Sequence, residues 1–416
     1  MSPITPRSAP PVRTARPEAE RVETLINRLK SHSQVDPATI GVVKAPLRIC
    51  PLGAHIDHQL GCVTGMTIDQ SILMAFATTT DGSIHVESLD FEPPVSFNLN
   101  DVPGYTARDW GNYIRGAVLA LQQNHPLNQG LIGVVDGEMP IGGLSSSAAV
   151  TIAYLLALQA VNRLEVTPET NVGLVRFTEN QYIGLNNGIL DQSVILFSQP
   201  NHLTIIDCET IQVERIASPA TTPTFEILVV YSGLTRALVG TDYNSRVAEC
   251  REAARLLLDH VGEPSPPDLR LRHINPAIFK SAGPNLPGNL QRRASHFFSE
   301  MQRVTDGIAA WRNGDMYRFG ELVSASGESS VKNYECGSPQ LITLYETLRE
   351  TPGVLGARFS GAGFRGSCLA LIDPSARDSI AEAIHRRYPE AHPDEAGAYS
   401  IHFCQPDGKA EVCSIE

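Results

Sequence analysis

Residues 140–152 read Pro140-Ile141-Gly142-Gly143-Leu144-Ser145-Ser146-Ser147-Ala148-Ala149-Val150-Thr151-Ile152. Two glycines meet a run of three serines, and an apolar segment from Ala148 to Val161 then begins abruptly. Glycine lets backbone approach a ligand because no Cβ stands in the way. Serine suits a helix N-cap and first turn, where its hydroxyl satisfies orphan amides. A helix start presents unpaired N–H groups and the positive end of the dipole, and so binds phosphate. Residues 148–161 are apolar nearly all round, which predicts a buried helix. The stretch reads as a phosphate cradle, Gly142 to Ala148, fixed to a rigid core helix. An ordinary Gly-Ser turn before a buried helix is the competing reading. No lysine follows Gly143, so this is not the Walker loop, and the His-Arg-Asp and Asp-Phe-Gly triplets of protein kinases are absent.

Outward from the loop, the pattern predicts strands at 41–50, 67–78, 131–135, 194–197, 203–207, 225–231 and 367–372. It predicts helices at 18–31, 110–122, 148–161, 169–185, 243–258, 291–311 and 339–350. The chain of 416 residues is long enough for two domains. Strands mixed with helices in both halves give an α+β class. The Pro/Thr-rich stretch 218–224 marks the expected boundary, giving domains 18–218 and 219–416 after a disordered tail, 1–17.

Composition sets further bounds. Hydrophobic content of 42% with 19% charged residues is globular. A net charge of -12 argues against nucleic acid and acidic membranes as partners. No apolar run approaches a membrane span, and the proline-rich start lacks a secretory core. The eight cysteines are scattered without a C-x-x-C pair, which fits reduced thiols and a cytoplasmic protein.

Leu144 to Ala148, after proline and glycines, resembles the phosphate motif of the GHMP small-molecule kinases (galactokinase, homoserine kinase, mevalonate kinase, phosphomevalonate kinase), though one residue fewer than usual separates Pro140 from Leu144. Three further segments agree. Leu47-Arg48-Ile49-Cys50-Pro51-Leu52-Gly53-Ala54-His55-Ile56-Asp57-His58 resembles the sugar-recognition motif of galactokinases, with Arg48, Gly53, His55 and Asp57 in matching places. Glu179 precedes Asn187-Gly188-Ile189-Leu190-Asp191-Gln192 with the galactokinase interval of 12 residues between Glu179 and Asp191. Gly356 to Ser367 resembles the C-terminal glycine motif, departing at Ala362 and Arg365. The likeness runs from about 44 to 372. It is nearest to the plant-type uronic-acid kinases of the galactokinase branch, through 49–58, 333–337 and 360–366.

The resemblance implies the two-domain GHMP fold: an N-terminal ribosomal-S5-domain-2-like α/β domain and a C-terminal ferredoxin-like domain. It implies an ATP-dependent sugar-1-kinase acting on the anomeric hydroxyl of D-galacturonate. Asp191 would be the general base and Arg48 its partner. Backbone from Gly142, Gly143, Leu144, Ser145, Ser146, Ser147 and Ala148 would hold the phosphates, with Trp110 near the nucleotide. Ser147 (or Ser146) and Glu179 would hold Mg²⁺. His55, Asp57, Gly188 and Tyr243 would contact the sugar, and a monomer is expected. Galactokinases carry glutamate where this chain has Ala54. A glutamate there would face the C6 carboxylate of a uronic acid, so alanine favours the acid sugar. Arg365, His58 or Arg236 would pair with that carboxylate. A galactokinase and a non-catalytic sugar sensor are the alternatives; the intact serine run, Arg48, Glu179 and Asp191 favour an enzyme.

Overall fold

A computed structural model describes residues 12, 16–33, 35–137, 142–234, 243–364 and 366–413. Arg365, Arg236 and Pro140 lie outside these residues, as does most of the expected tail.

The chain begins with α1 (Glu18–Lys30), then β1 (Gly41–Ile49), the 18-residue β2 (Cys62–Thr79), β3 (Ser83–Ser88), β4 (Val95–Asn98), α2 (Asn112–Gln122) and β5 (Gly130–Asp136). It continues through α3 (Ser146–Asn162), α4 (Pro168–Arg176), α5 (Leu190–Phe197), β6 (His202–Asp207) and β7 (Gln212–Ala217). Then come β8 (Glu226–Tyr231), α6 (Tyr243–Val261), α7 (Pro276–Ala282), α8 (Gly288–Arg312), α9 (Met316–Ser329) and α10 (Pro339–Glu350). The chain ends with β9 (Val354–Phe359), β10 (Ser367–Ile372), α11 (Arg377–Ala391), β11 (Ser400–Cys404) and β12 (Glu411–Cys413).

Two sheets organise these elements. The first runs β12-β1-β2-β5-β3-β4, with β6 and β7 joined to the lower half of β2; β3 and β5 pair in parallel and the rest antiparallel. The second is antiparallel, β11-β8-β10-β9. Residues 218–225 join them, and the last strand returns to the first sheet beside β1.

Period-2 alternation gives the first sheet two buried faces. Val42, Leu73, Ala75, Ala77, Ile132 and Val134 meet Leu25 and Leu29 of α1. Their neighbours Val43, Met74, Phe76 and Val135 face the main core, with Ala149, Ile152, Ala153 and Leu155 of α3. That helix is largely buried, as predicted, with Val150, Leu156 and Val161 part-buried and Ala160 exposed.

Two local departures aim the site. β1 carries a register shift between Pro46 and Leu47. Proline lacks the ladder N–H and is tolerated where a strand is bulged, and a bulge re-aims the side chains beyond it; Arg48 lies two residues on. The segment 194–197, expected as a strand, is the end of helix α5. Short apolar runs rich in β-branched residues do not distinguish strand from helix by pattern. Here helical packing buries Val194, Ile195, Leu196 and Phe197 and puts Asp191 in a helical first turn.

Candidate active site

The serine loop leaves its amides open. Ser145 is the N-cap of α3 in the left-handed region (φ 62°) and makes no side-chain cap bond. Its buried Oγ has no partner among the described residues. The expectation that a serine hydroxyl would cap this helix is therefore corrected. With no side-chain cap, the first-turn N–H groups stay available to an anion.

The two glycines have a second reason to be glycine. Gly143 has φ 81°, and a Cβ there would stand 2.7 Å from Ser360 O. A Cβ on Gly366 would stand 2.6 Å from the carbonyl carbon of Gly142. Ser360 Oγ donates to Gly143 O at 2.5 Å and Ser367 Oγ to Gly142 O at 3.1 Å. The sequence suggested closeness to a ligand; the structure adds backbone against backbone, phosphate loop against C-terminal glycine turn.

Arg48, almost wholly buried, spans the centre. Its Nε and Nη2 donate to Asp191 Oδ1 at 2.8 and 2.6 Å, and its Nη1 to Gly143 O at 3.3 Å. Its backbone N–H donates to Leu144 O at 3.3 Å. Asp191 is 24% exposed, so its carboxylate is not sealed off. A carboxylate in the first turn of a helix is favoured by the dipole.

Two more carboxylates crowd this pair. Glu179 sits, fully buried, in a π-helical turn, Phe177–Ile183, that continues α4. Such wide turns recur at functional sites. Asn187 Nδ2 donates to Glu179 Oε2 at 2.5 Å, while Oε1 has no partner among the described residues. Burial first, then the charge of Asp191, pushes the Glu179 carboxyl up to about 7; Asn187, the Ser147 hydroxyl and Arg48 pull it down. An orphaned, buried carboxylate oxygen beside a serine hydroxyl is a donor set that fits a hard cation such as Mg²⁺. Asp57 is raised to about 6 by burial and by Asp191, against N–H donors from His58 and Leu190. Gly188 lies on Asp57: a Cβ would stand 2.4 Å from Oδ2.

The segment 53–58 is held from behind by α8. Glu300 is fully buried and held down at about 2: burial opposes this, and Arg303, His296, Arg358 and Ser326 overcome it. It accepts from Gly53 N at 2.8 Å, Ser326 Oγ at 2.5 Å and Arg303 Nε at 2.7 Å. His296 Nε2 stands 3.0 Å from Ala54 O, and its Nδ1 2.9 Å from Ser329 Oγ. Ala54 itself is 4% exposed. His55, at φ 64°, stacks on Tyr334 with ring centroids 4.3 Å apart. Burial and neighbouring cations lower it well below the usual histidine range. Gln59 Nε2 lies 2.9 Å from His58 Nδ1, and His58 Nε2 lies 3.1 Å from Tyr334 Oη. Burial, then His296, Arg251 and Arg270, lower His58 to about 3, and both its ring nitrogens already have protein partners. Tyr243 opens α6 beside His58, ring centroids 6.1 Å apart, and its phenol is pushed up by burial and by Asp57, Asp191 and Glu179.

Arg48, Ser147, Glu179 and Asp191 thus converge, with Asp57, Gly188 and Tyr243 beside them. The Trp110 indole N–H donates to Pro93 O at 3.0 Å, and its ring centroid lies 6.5 Å from that of Phe91. Glu300 and His296 were missed. Both sit in an amphipathic helical pattern where a charged residue reads as a solvated face.

Comparison with known proteins agrees with this geometry. Residues 112–199 match the GHMP kinases N terminal domain, and residues 308–390 the GHMP kinases C terminal domain. The chain is 43% identical over 401 residues to a galacturonokinase of Arabidopsis thaliana, covering 91% of this chain and 94% of that one. It is 31% identical over 391 residues to a galactokinase of Roseiflexus sp. (strain RS-1), covering 93% and 96%. The solved galactokinase of Lactococcus lactis complexed with galactose superposes with TM-score 0.85 at 27% identity, over 94% of this chain and 99% of that one. The mevalonate kinase of Methanococcus jannaschii shares the fold, with TM-score 0.62 at 16% identity over 88% and 98%. No helix among the described residues is long and apolar enough to cross a membrane. The expected two-domain fold and kinase class hold, and the chain belongs to the GHMP kinase family.

Proposed function

We propose that this protein transfers the γ-phosphoryl group of ATP to the anomeric hydroxyl of D-galacturonate, giving galacturonate 1-phosphate and ADP. One observation carries the reading. A single guanidinium, Arg48, bonds both the candidate base Asp191 and the carbonyl of Gly143 in the phosphate loop. It links the place where the acceptor hydroxyl is deprotonated to the place where the phosphates lie.

In this reading Asp191 accepts the C1 hydroxyl proton. Both Arg48 bonds go to Oδ1, which leaves Oδ2 for the acceptor. The C1 oxygen forms a bond to the γ-phosphorus as the bond to the β–γ bridging oxygen breaks, and ADP leaves. Arg48 offsets charge on the transferring group. The open first turn of α3 and the backbone from Gly142 to Ser147 hold the phosphates. Glu179 and Ser147 are the groups that would hold Mg²⁺, which when bound neutralises phosphate charge. Asp57, His55 and Tyr243 contact the sugar, with Gly188 leaving room beside Asp57.

Ala54 selects the acid sugar by omission. A glutamate about 4 Å from a C6 carboxylate would cost roughly 4 kcal/mol at an effective dielectric near 20. Arg365, His58 and Arg236 remain the candidates for the partner of that carboxylate. An ADP-release assay across galacturonate, galactose, glucuronate and mevalonate tests the proposal. Turnover is expected with galacturonate; turnover confined to galactose would replace the reading with a galactokinase, and none with any sugar would make the protein a sensor.

A further inference from the structure

On the face of the first sheet that α1 covers, away from the main core, three metal-ligating side chains meet. His85 and Glu87 alternate along β3 and project to the same side, while Ile84 and Val86 between them face the main core. His32 lies just past the end of α1. His32 Nε2 stands 3.2 Å from Glu87 Oε1, and His85 Nε2 stands 3.6 Å from the same oxygen. All three ligand atoms lie within 4.8 Å of one another. Ligands bonded to one Zn²⁺ at about 2.0–2.1 Å in a tetrahedron stand about 3.3 Å apart.

The details favour lone pairs turned inward. His32 Nε2 is screened from solvent, yet it has no hydrogen bond among the described residues despite facing Glu87 Oε1. The outward atoms of the other two residues are already held. His85 Nδ1 lies 2.7 Å from Ser96 Oγ; as the donor there, it leaves the Nε2 lone pair free. Glu87 Oε2 accepts from Arg28 Nε at 2.7 Å, which leaves Oε1 for the centre. A histidine whose second nitrogen is anchored and a carboxylate whose second oxygen is bonded are the outer-shell pattern of metal sites. All three residues are partly buried, with side chains 23%, 33% and 13% exposed.

We infer that His32, His85 and Glu87 form a binding site for one transition-metal ion of the Zn²⁺ class, completed by water, that clamps the end of α1 to β3. The ligand set of two imidazoles and one carboxylate suits Zn²⁺, Co²⁺ or Ni²⁺ rather than Mg²⁺. The site is separate from the cleft and uses none of its residues.

The test uses the full chain without a histidine tag, stripped with EDTA, and titrated with Zn²⁺ by calorimetry and with Co²⁺ by visible absorbance. The wild type should bind one more equivalent than His32→Ala or His85→Ala, and its melting temperature should rise with Zn²⁺ where theirs does not. Cysteines and cleft carboxylates are common to all the proteins, so the difference isolates this site. Ser96→Ala should keep the site but weaken it on the order of ten- to a hundredfold. Turnover with Mg²⁺ and ATP should be unchanged in His85→Ala. Equal stoichiometry and equal melting shifts in wild type and variants would reduce the cluster to ordinary histidine–glutamate ion pairs and overturn the inference.

Discussion

Two buried carboxylates in this molecule, Glu179 and Glu300, are equally hidden from solvent and have opposite lives. Glu300 is surrounded by donors, Gly53 N–H, Ser326 and Arg303, with Arg358 3.6 Å away. Its carboxyl is held at about 2. Glu179 has Asn187 on one oxygen, no partner among the described residues on the other, and Asp191 nearby, and it is pushed to about 7. Burial penalises both charges; partners decide the outcome. Where every polar atom is satisfied, the structure is holding a loop in place. Where one is left over beside the candidate base, the proposed reading gives it to a cation. The Arg48–Asp191 pair belongs to the second kind, because Asp191 is exposed enough to meet a substrate.

Asp191→Asn should break the reactive side alone. We expect turnover to fall on the order of 10²- to 10⁴-fold, with a smaller loss of stability than in Glu300→Ala because Asp191 is 24% exposed, measured by ADP release and calorimetry. Retention of most of the turnover would remove Asp191 as the base.

Glu300→Ala should do the reverse. It leaves Arg358 and Arg303 short of a counter-charge and the Gly53 N–H unmet, at a cost of about 3–5 kcal/mol in urea unfolding. The surviving folded protein should lose sugar affinity more than ATP affinity, since the Gly53–Asp57 segment loosens. A change within about 1 kcal/mol of wild type would mean that the network holds nothing in place.

Glu179→Gln sharpens the contrast. If Oε1 awaits a cation, the Mg²⁺ concentration for half-maximal activity should rise at least about tenfold, with little loss of stability, because an ionisable group strained by burial has been removed. An unchanged Mg²⁺ dependence would return Glu179 to a structural role.

The smallest expected effect is on pH. His296 is lowered to about 4, by burial above all, and is neutral when folded; unfolded it titrates near 6.5. The unfolded state therefore binds protons first, and this histidine's contribution is lost as pH falls below 6.5. Asp57, raised to about 6, acts in the opposite direction, so the comparison is between proteins. His296→Gln should flatten the loss of stability between pH 6.5 and 5 by about 1–2 kcal/mol. Parallel curves would show that His296 does not titrate as described.

The reactive side was legible in the sequence and the supporting side was not, for a physical reason. Chemistry needs particular residues at short, fixed spacings, so Ser145 to Ser147, the interval from Glu179 to Asp191 and the glycine turn at 360–366 stand out. Support needs only a donor near an acceptor. The Glu300 to Gly53 bond joins residues 247 apart, and His296 to Ala54 is as distant; nothing local marks either. The glycines of the phosphate loop were read for ligand approach, while their contact with the C-terminal turn waited for the second sheet. The run 194–197 was misread because its residue types suit a strand and its burial suits both.

Position 54 joins the two sides. Its carbonyl belongs to the supporting network through His296, and its missing carboxylate sets the substrate we propose. The most direct test is a competition: equimolar galacturonate and galactose, limiting ATP, and the two sugar 1-phosphates counted by phosphorus NMR. The product ratio equals the ratio of specificity constants. We expect wild type to make galacturonate 1-phosphate in at least about tenfold excess, and Ala54→Glu, if folded, to move the ratio toward galactose. An excess of galactose 1-phosphate from the wild type, or a ratio that Ala54→Glu leaves in place, would contradict the assignment of position 54 as the reader of C6.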